Sequence, residues 1–208
     1  MTVASPARSY PAATLKSGSK GPKATWNRIA GGERDGRRRG GWGYAATVRH
    51  AWPEAVERVN AFLREAAAEA RVEEFPAGSA TAEEAADAVG CDLDHIVKSL
   101  LFECDGRPVL VLVSGDRRAD KAKVAAAAGA TSASVASPQR VTEITGFEPG
   151  AVAPFPLPRV EHIFLDRALL VHDCVWIGAG SSRHMAGLAP SELVRLARAT
   201  PFDVTSED

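Results

Sequence analysis

The sequence predicts an α+β fold built on a mixed, largely antiparallel sheet with flanking helices. Three observations predict it. Two apolar runs, residues 96–103 and 108–113, are joined by "CDGR", whose Asp-Gly pair favours a tight antiparallel hairpin. Helices with their own start and stop signals stand on both sides of that hairpin. The strand and helix signals do not alternate regularly, which argues against a doubly wound sheet.

Order is expected to begin near Trp52-Pro53. Proline suits a first helical turn, and Val56, Val59, Phe62, Leu63 and Ala66 recur at helical spacing, so an amphipathic helix of about four turns follows. A short extended piece around "RVEEF" comes next. "TAEEAADAVG" then carries a capping box, Thr81 with Glu84 three residues on, and ends at Gly90. After the hairpin, "RRADKAKVAAAAG" predicts a helix stopped by Gly129, and "PQRVTEITG" a shorter one stopped by Gly146. Two further strands, "VEHIFLD" and "CVWIGAG", precede a last helix, "APSELVRLARA", with Pro190 in its first turn.

Composition narrows the function classes. The 208 residues are 45% apolar and 25% charged, which suits one globular domain with room to spare. Basic and acidic residues nearly cancel, 25 against 26, but residues 1–50 hold 10 basic and 2 acidic side chains. That segment is rich in Gly, Ser, Pro and Arg and has no apolar period, so it is expected to be a disordered basic leader. It reads either as an arm attracted to nucleic acid or as an unselected leader translated from an upstream start; the leader is preferred, because Arg/Gly-rich sequence arises easily from biased composition. No run approaches the roughly 18 apolar residues that cross a bilayer, and no secretory signal is visible, so a cytoplasmic protein with no membrane partner is expected. Cys91, Cys104 and Cys174 form no C-x-x-C pair, and the five histidines form no H-x-x-x-H pair, so neither a disulfide framework, a metal nor a cofactor is expected.

Three local features invite a functional reading. "GAGSSR", Gly178 to Arg183, lacks the third glycine of a dinucleotide fingerprint and the acidic residue beyond it, which leaves a nucleotide-binding oxidoreductase weakly supported. Gly178 and Gly180 instead mark a strand end where backbone approaches a ligand or another part of the protein closely. "TGFEPGAVAPF" combines stiff and permissive residues, either to fix a recognition loop or as an ordinary surface loop. In "HIVKSLLFE", Lys98 shares a strand face with Ile96, Leu100 and Phe102. A desolvated ammonium is costly and is tolerated mainly where the group has work to do. A stem packed on the sheet with its head in solvent is the other reading.

Taken in order, "TAEEAADAVGCDLDHIVKSLLFECDGRPVLVLVSGD", "TGFEPGAVAPF", "IFLD" and "VWIGAG" resemble the YbaK/ProX family of aminoacyl-tRNA deacylases, related to the editing domain of bacterial prolyl-tRNA synthetase. The likeness runs from about Val72 to Ala199. It implies that residues 51–208 form the deacylase domain and that a lysine matching Lys98 is the catalytic centre. A G-x-x-x-P loop matching Gly150 to Pro154 then shapes the aminoacyl site. Ser99, Gly178, Gly180 and His184 join Gly150 and Pro154 as substrate-binding candidates. Ser99 stands where relatives often carry Asn or Thr, and Ala151 and Ala153 replace the Gly and Ser of many relatives.

The implied activity is trans-editing: hydrolysis of the ester linking a wrongly attached small amino acid to the 3′ end of a tRNA, with Cys-tRNA(Pro) as the type of substrate. Aminoacyl-tRNA is the implied partner, and an aminoacyl-tRNA synthetase a second one. Because the ester is already activated, a cation and backbone N–H groups placed against the developing oxyanion can supply most of the catalysis. The alternative is a non-catalytic tRNA- or synthetase-binding module of the same fold.

Overall fold

The computed structural model describes residues 52–75 and 81–206, so the expected leader over 1–50 lies outside the described residues. The chain begins with helix α1 (Glu54–Glu65), which buries Val56, Val59 and Leu63 along one face. Strand β1 (Ala70–Glu74) follows. Helix α2 (Ala82–Val89) has the capping box read from the sequence: Thr81 Oγ1 accepts from the Glu84 amide at 3.1 Å, and Glu84 Oε2 accepts from the Thr81 amide at 3.3 Å. Gly90 closes the helix at φ 71°, in the left-handed region that glycine adopts without a Cβ penalty.

Strands β2 (Ile96–Cys104) and β3 (Arg107–Ser114) form the expected antiparallel hairpin. Asp105 and Gly106 both have positive φ, the signature of a type I′ turn. The Asp105 carboxylate also accepts from the amides of Thr131 and Ser132, tying the turn to the segment that becomes strand β4 (Ala133–Val135). Helix α3 (Lys121–Ala127) starts later than "RRADKAK" alone implies, because Asp120 caps it by accepting from the amides of Ala122 and Lys123. The remaining elements are α4 (Pro138–Thr145), β5 (His162–Asp166), β6 (Val175–Ser181), β7 (His184–Leu188), α5 (Pro190–Ala197) and β8 (Thr200–Phe202).

The eight strands of the described residues belong to one sheet, ordered β1-β7-β6-β2-β3-β5-β8, with β4 also paired to β2. Four pairings are antiparallel (β1/β7, β2/β3, β2/β4, β6/β7) and three parallel (β2/β6, β3/β5, β5/β8). The fold is thus α+β with a mixed, mostly antiparallel sheet. β3 is buried on both faces. Leu110 and Leu112 join the core under α1 and α5, while Val109, Val111 and Val113 join a second core with Phe102, Val124 and Phe164. This explains its unbroken apolar run. Truncating Leu110 to alanine is expected to cost about 2–5 kcal/mol.

Sequence reasoning did not anticipate β4, β7 and β8. β4 and β8 have three residues each, too few to show a period. β7, "HMAGL", lacks β-branched residues and is held as a strand by neighbours on both sides, β1 and β6. Its Gly187 lies under the Trp176 ring, where a Cβ would stand 3.2 Å from the ring edge. No helix among the described residues is long and apolar enough to cross a membrane.

Candidate functional site

The sheet splits beside β2. On that side β6 pairs only with Ile96 and Val97, and β4 only from Phe102 to Cys104. Residues 98–101 between them have no strand neighbour there among the described residues. A cavity of about 250 Å³ occupies the gap, lined by Lys98, Ser99, Gly150, Val152, Gly178 and His184 together with residues of α2.

Lys98 lies on the strand face that the two-residue period assigns to it. That face is divided: Ile96 packs with α2, whereas Leu100 and Phe102 pack with α3. Lys98 falls at the seam. Its Nζ donates to the carbonyl oxygens of Gly115 at 2.9 Å and Arg117 at 2.6 Å, both in the loop after β3. Burial pushes its pKa down, while Asp116 and Glu83 favour the charged form. Two of the three ammonium donors are therefore fixed by backbone, which aims the side chain and leaves a third for a ligand. Gly115 is needed for this cradle, since a Cβ there would collide with the carbonyl oxygen of Leu93.

His184, only 4% exposed, opens β7. Its Nδ1 lies 2.7 Å from Ser181 Oγ across the β6–β7 bulge, and its ring meets Trp52 edge-on at 5.6 Å. Burial lowers its pKa, with Glu74 opposing and Arg183 reinforcing the shift, so the imidazole is neutral near pH 7. His184 Nε2 is buried without a hydrogen-bond partner, and so is Ser99 Oγ. Both line the same cavity as Lys98. A buried polar atom left unpaired costs about 1–3 kcal/mol, so two of them on residues lining one cavity make that cavity the candidate site. Either ring proton placement keeps Nε2 open: it donates if the Ser181 hydroxyl donates to Nδ1, and accepts if Nδ1–H donates to Ser181 Oγ.

The glycines sort differently. Gly150 has φ 85° and lines the cavity. At Gly178 a Cβ would stand 3.3 Å from the Val152 carbonyl oxygen, so what β6 approaches closely is the Gly150–Pro154 loop. Gly180 lies outside the cavity lining; at φ 98° it faces α1, where a Cβ would come within 2.7 Å of the Ala55 carbonyl group. Pro154 also lies outside, in a separate depression of about 850 Å³ with Arg58, Phe62 and Arg159. Within the loop, Val152 rather than Pro154 reaches the cavity. Ser181 also lines the cavity and contacts His184, and the sequence reading missed it; its only signal was the S-x-x-H spacing. The histidines are also less scattered than their spacing implies, for His95 and His172 converge on Asp94.

A model of the aminoacyl-tRNA editing domain matches residues 77–196. The chain is 38% identical over 123 residues to the uncharacterized protein YwhH of Bacillus subtilis, covering 59% of this chain and 78% of that protein. It is 37% identical over 134 residues to the proline–tRNA ligase of Nitratidesulfovibrio vulgaris, covering 64% of this chain but only 22% of the ligase. A crystal structure described as that of a candidate trans-editing enzyme for prolyl tRNA synthetase superposes with a TM-score of 0.71 at 34% identity, covering 76% of this chain and 100% of that one.

Proposed function

The chain belongs to the aminoacyl-tRNA editing domain family, and from that premise we propose that it is a deacylase acting in trans, which hydrolyses the ester of a small, wrongly attached amino acid at the 3′ end of a tRNA. Cys-tRNA(Pro) is the type of substrate. The observation that carries this reading is that Lys98, Ser99 and His184 line one cavity, the last two carrying buried polar atoms, Ser99 Oγ and His184 Nε2, without a hydrogen-bond partner. At about 250 Å³ that cavity falls below the about 300–1,000 Å³ usual for drug-sized ligands, so it fits an aminoacyl group better than a whole nucleoside.

In the proposed reaction water attacks the ester carbonyl carbon, the carbonyl oxygen becomes an oxyanion, and the bond to the ribose oxygen breaks as that oxygen takes up a proton. Lys98, aimed by its two carbonyl bonds, faces the oxyanion with its remaining N–H. Neutral His184 Nε2 and Ser99 Oγ hold the amino group or the attacking water. The likeness to the trans-editing structure, which this chain covers completely, supports action on tRNA charged elsewhere, with a synthetase as a further partner.

The test is a panel of mischarged tRNAs carrying Cys, Ala, Ser and other small amino acids. Deacylation of at least one above the spontaneous rate is expected. If every one survives while tRNA still binds, the chain is a non-catalytic binding module of the same fold.

A further inference from the structure

We propose that Asp94, His95 and His172 form a binding site for a zinc-class divalent cation, separate from the cavity that holds Lys98. His95 Nδ1 lies 2.9 Å from Asp94 Oδ1, and His172 Nε2 lies 3.7 Å from Asp94 Oδ2. Each imidazole thus reaches a different oxygen of the one carboxylate, on the scale of the about 3.3 Å between ligand atoms in a tetrahedron whose metal–ligand bonds are about 2.0–2.1 Å. All three donor atoms fall within 4.8 Å of one another, and the two imidazole rings are 4.2 Å apart between centroids. The three donors are therefore close enough for side-chain rotation to bring them onto one centre.

The side chains differ usefully in exposure: His172 is 11% exposed, His95 32% and Asp94 44%. The site is closed at His172 and open to solvent at Asp94, which leaves room for water as a fourth ligand. Two imidazoles and one carboxylate favour zinc, cobalt or nickel over magnesium or calcium, which prefer shells made of oxygen alone.

The ligands come from two segments far apart in the chain. Asp94 and His95 belong to the single-turn helix Leu93–His95 ahead of β2, and His172 follows the short helix Arg167–Val171 after β5. A cation pins the first to the second. The first is already tied to the Lys98 cradle: Ser114 Oγ donates to the Asp94 carbonyl at 2.9 Å, and Gly115 packs on Leu93. The bound ion is a brace behind the loop that aims Lys98, and it takes no part in attacking the ester. This holds whether or not the editing reading is correct.

Zinc chloride titrated into the full chain after treatment with a chelator tests it, read by calorimetry, by melting temperature and by visible absorption with cobalt in place of zinc. One equivalent of zinc, a raised melting temperature and the intense bands of four-coordinate cobalt are expected, with no shift from magnesium. Asp94→Asn and His172→Ala should each weaken zinc binding by about tenfold or more while melting like the parent in chelator. No zinc-dependent rise in melting temperature overturns the proposal. So does a rise that both variants retain, because the zinc then sits elsewhere, for example on the thiols. If one variant fails to fold in chelator, His95→Gln takes its place and is read by the same two criteria.

Discussion

The ammonium of Lys98 is held by the carbonyl of Gly115, which can approach because Gly115 has no Cβ to strike Leu93. Gly115→Ala should therefore displace the cradle without touching Lys98 itself. A loss of deacylation is expected with a stability cost of about 1–3 kcal/mol. Single-turnover kinetics beside denaturant unfolding check it, and an active variant of parental stability refutes the cradle.

Lys98→Met removes the desolvation cost of the ammonium but leaves the carbonyls of Gly115 and Arg117 without that donor. The two effects oppose, so stability should stay within about 1 kcal/mol of the parent while deacylation is lost. Lys98→Arg should not restore turnover, because a planar fork cannot place its donors where a compact ammonium did. An active Met variant removes Lys98 from the catalytic centre.

His184 is held by burial below its ordinary pKa of 6.5. The unfolded chain then binds the proton more readily than the folded one, so this group's contribution to stability is complete above pH 6.5 and is lost as pH falls through the folded value. Deacylation should fall over the same acid window as Nε2 becomes charged. His184→Ala should lower the rate and flatten that limb of the pH profile; an unchanged limb assigns it to another group.

Val152 lines the cavity and Pro154 does not. Enlarging the cavity by Val152→Ala should let larger amino acids be removed, whereas Pro154→Ala should leave the substrate ranking as it was. Ranking the same mischarged tRNAs with both variants separates the two positions. A ranking altered only by the proline change returns the pocket wall to Pro154.

The sequence by itself determined the parts whose physics is local. The Asp105-Gly106 turn, the Thr81–Glu84 capping box and the stops at Gly90 and Gly146 depend on residues a few positions apart, so composition and spacing sufficed. It also placed Lys98 on the correct strand face and marked Gly178 as a point of close approach, and the resemblance brought Ser99, Gly150 and His184 forward as candidates.

What those side chains meet was decided only by tertiary structure. The carbonyls that hold Lys98 lie 17 and 19 residues along the chain, and the cavity exists because β6 leaves β2 before β4 joins it. Gly180 and Gly178 look alike in "GAGSS", yet one meets α1 and the other meets the loop at Val152. Likewise Asp94 and His95 meet His172 only after β3 and β5 pair in parallel and carry the end of β5 toward the start of β2. Periodicity assigns a residue to a face; which element covers that face depends on strand order, and strand order is a property of the whole sheet.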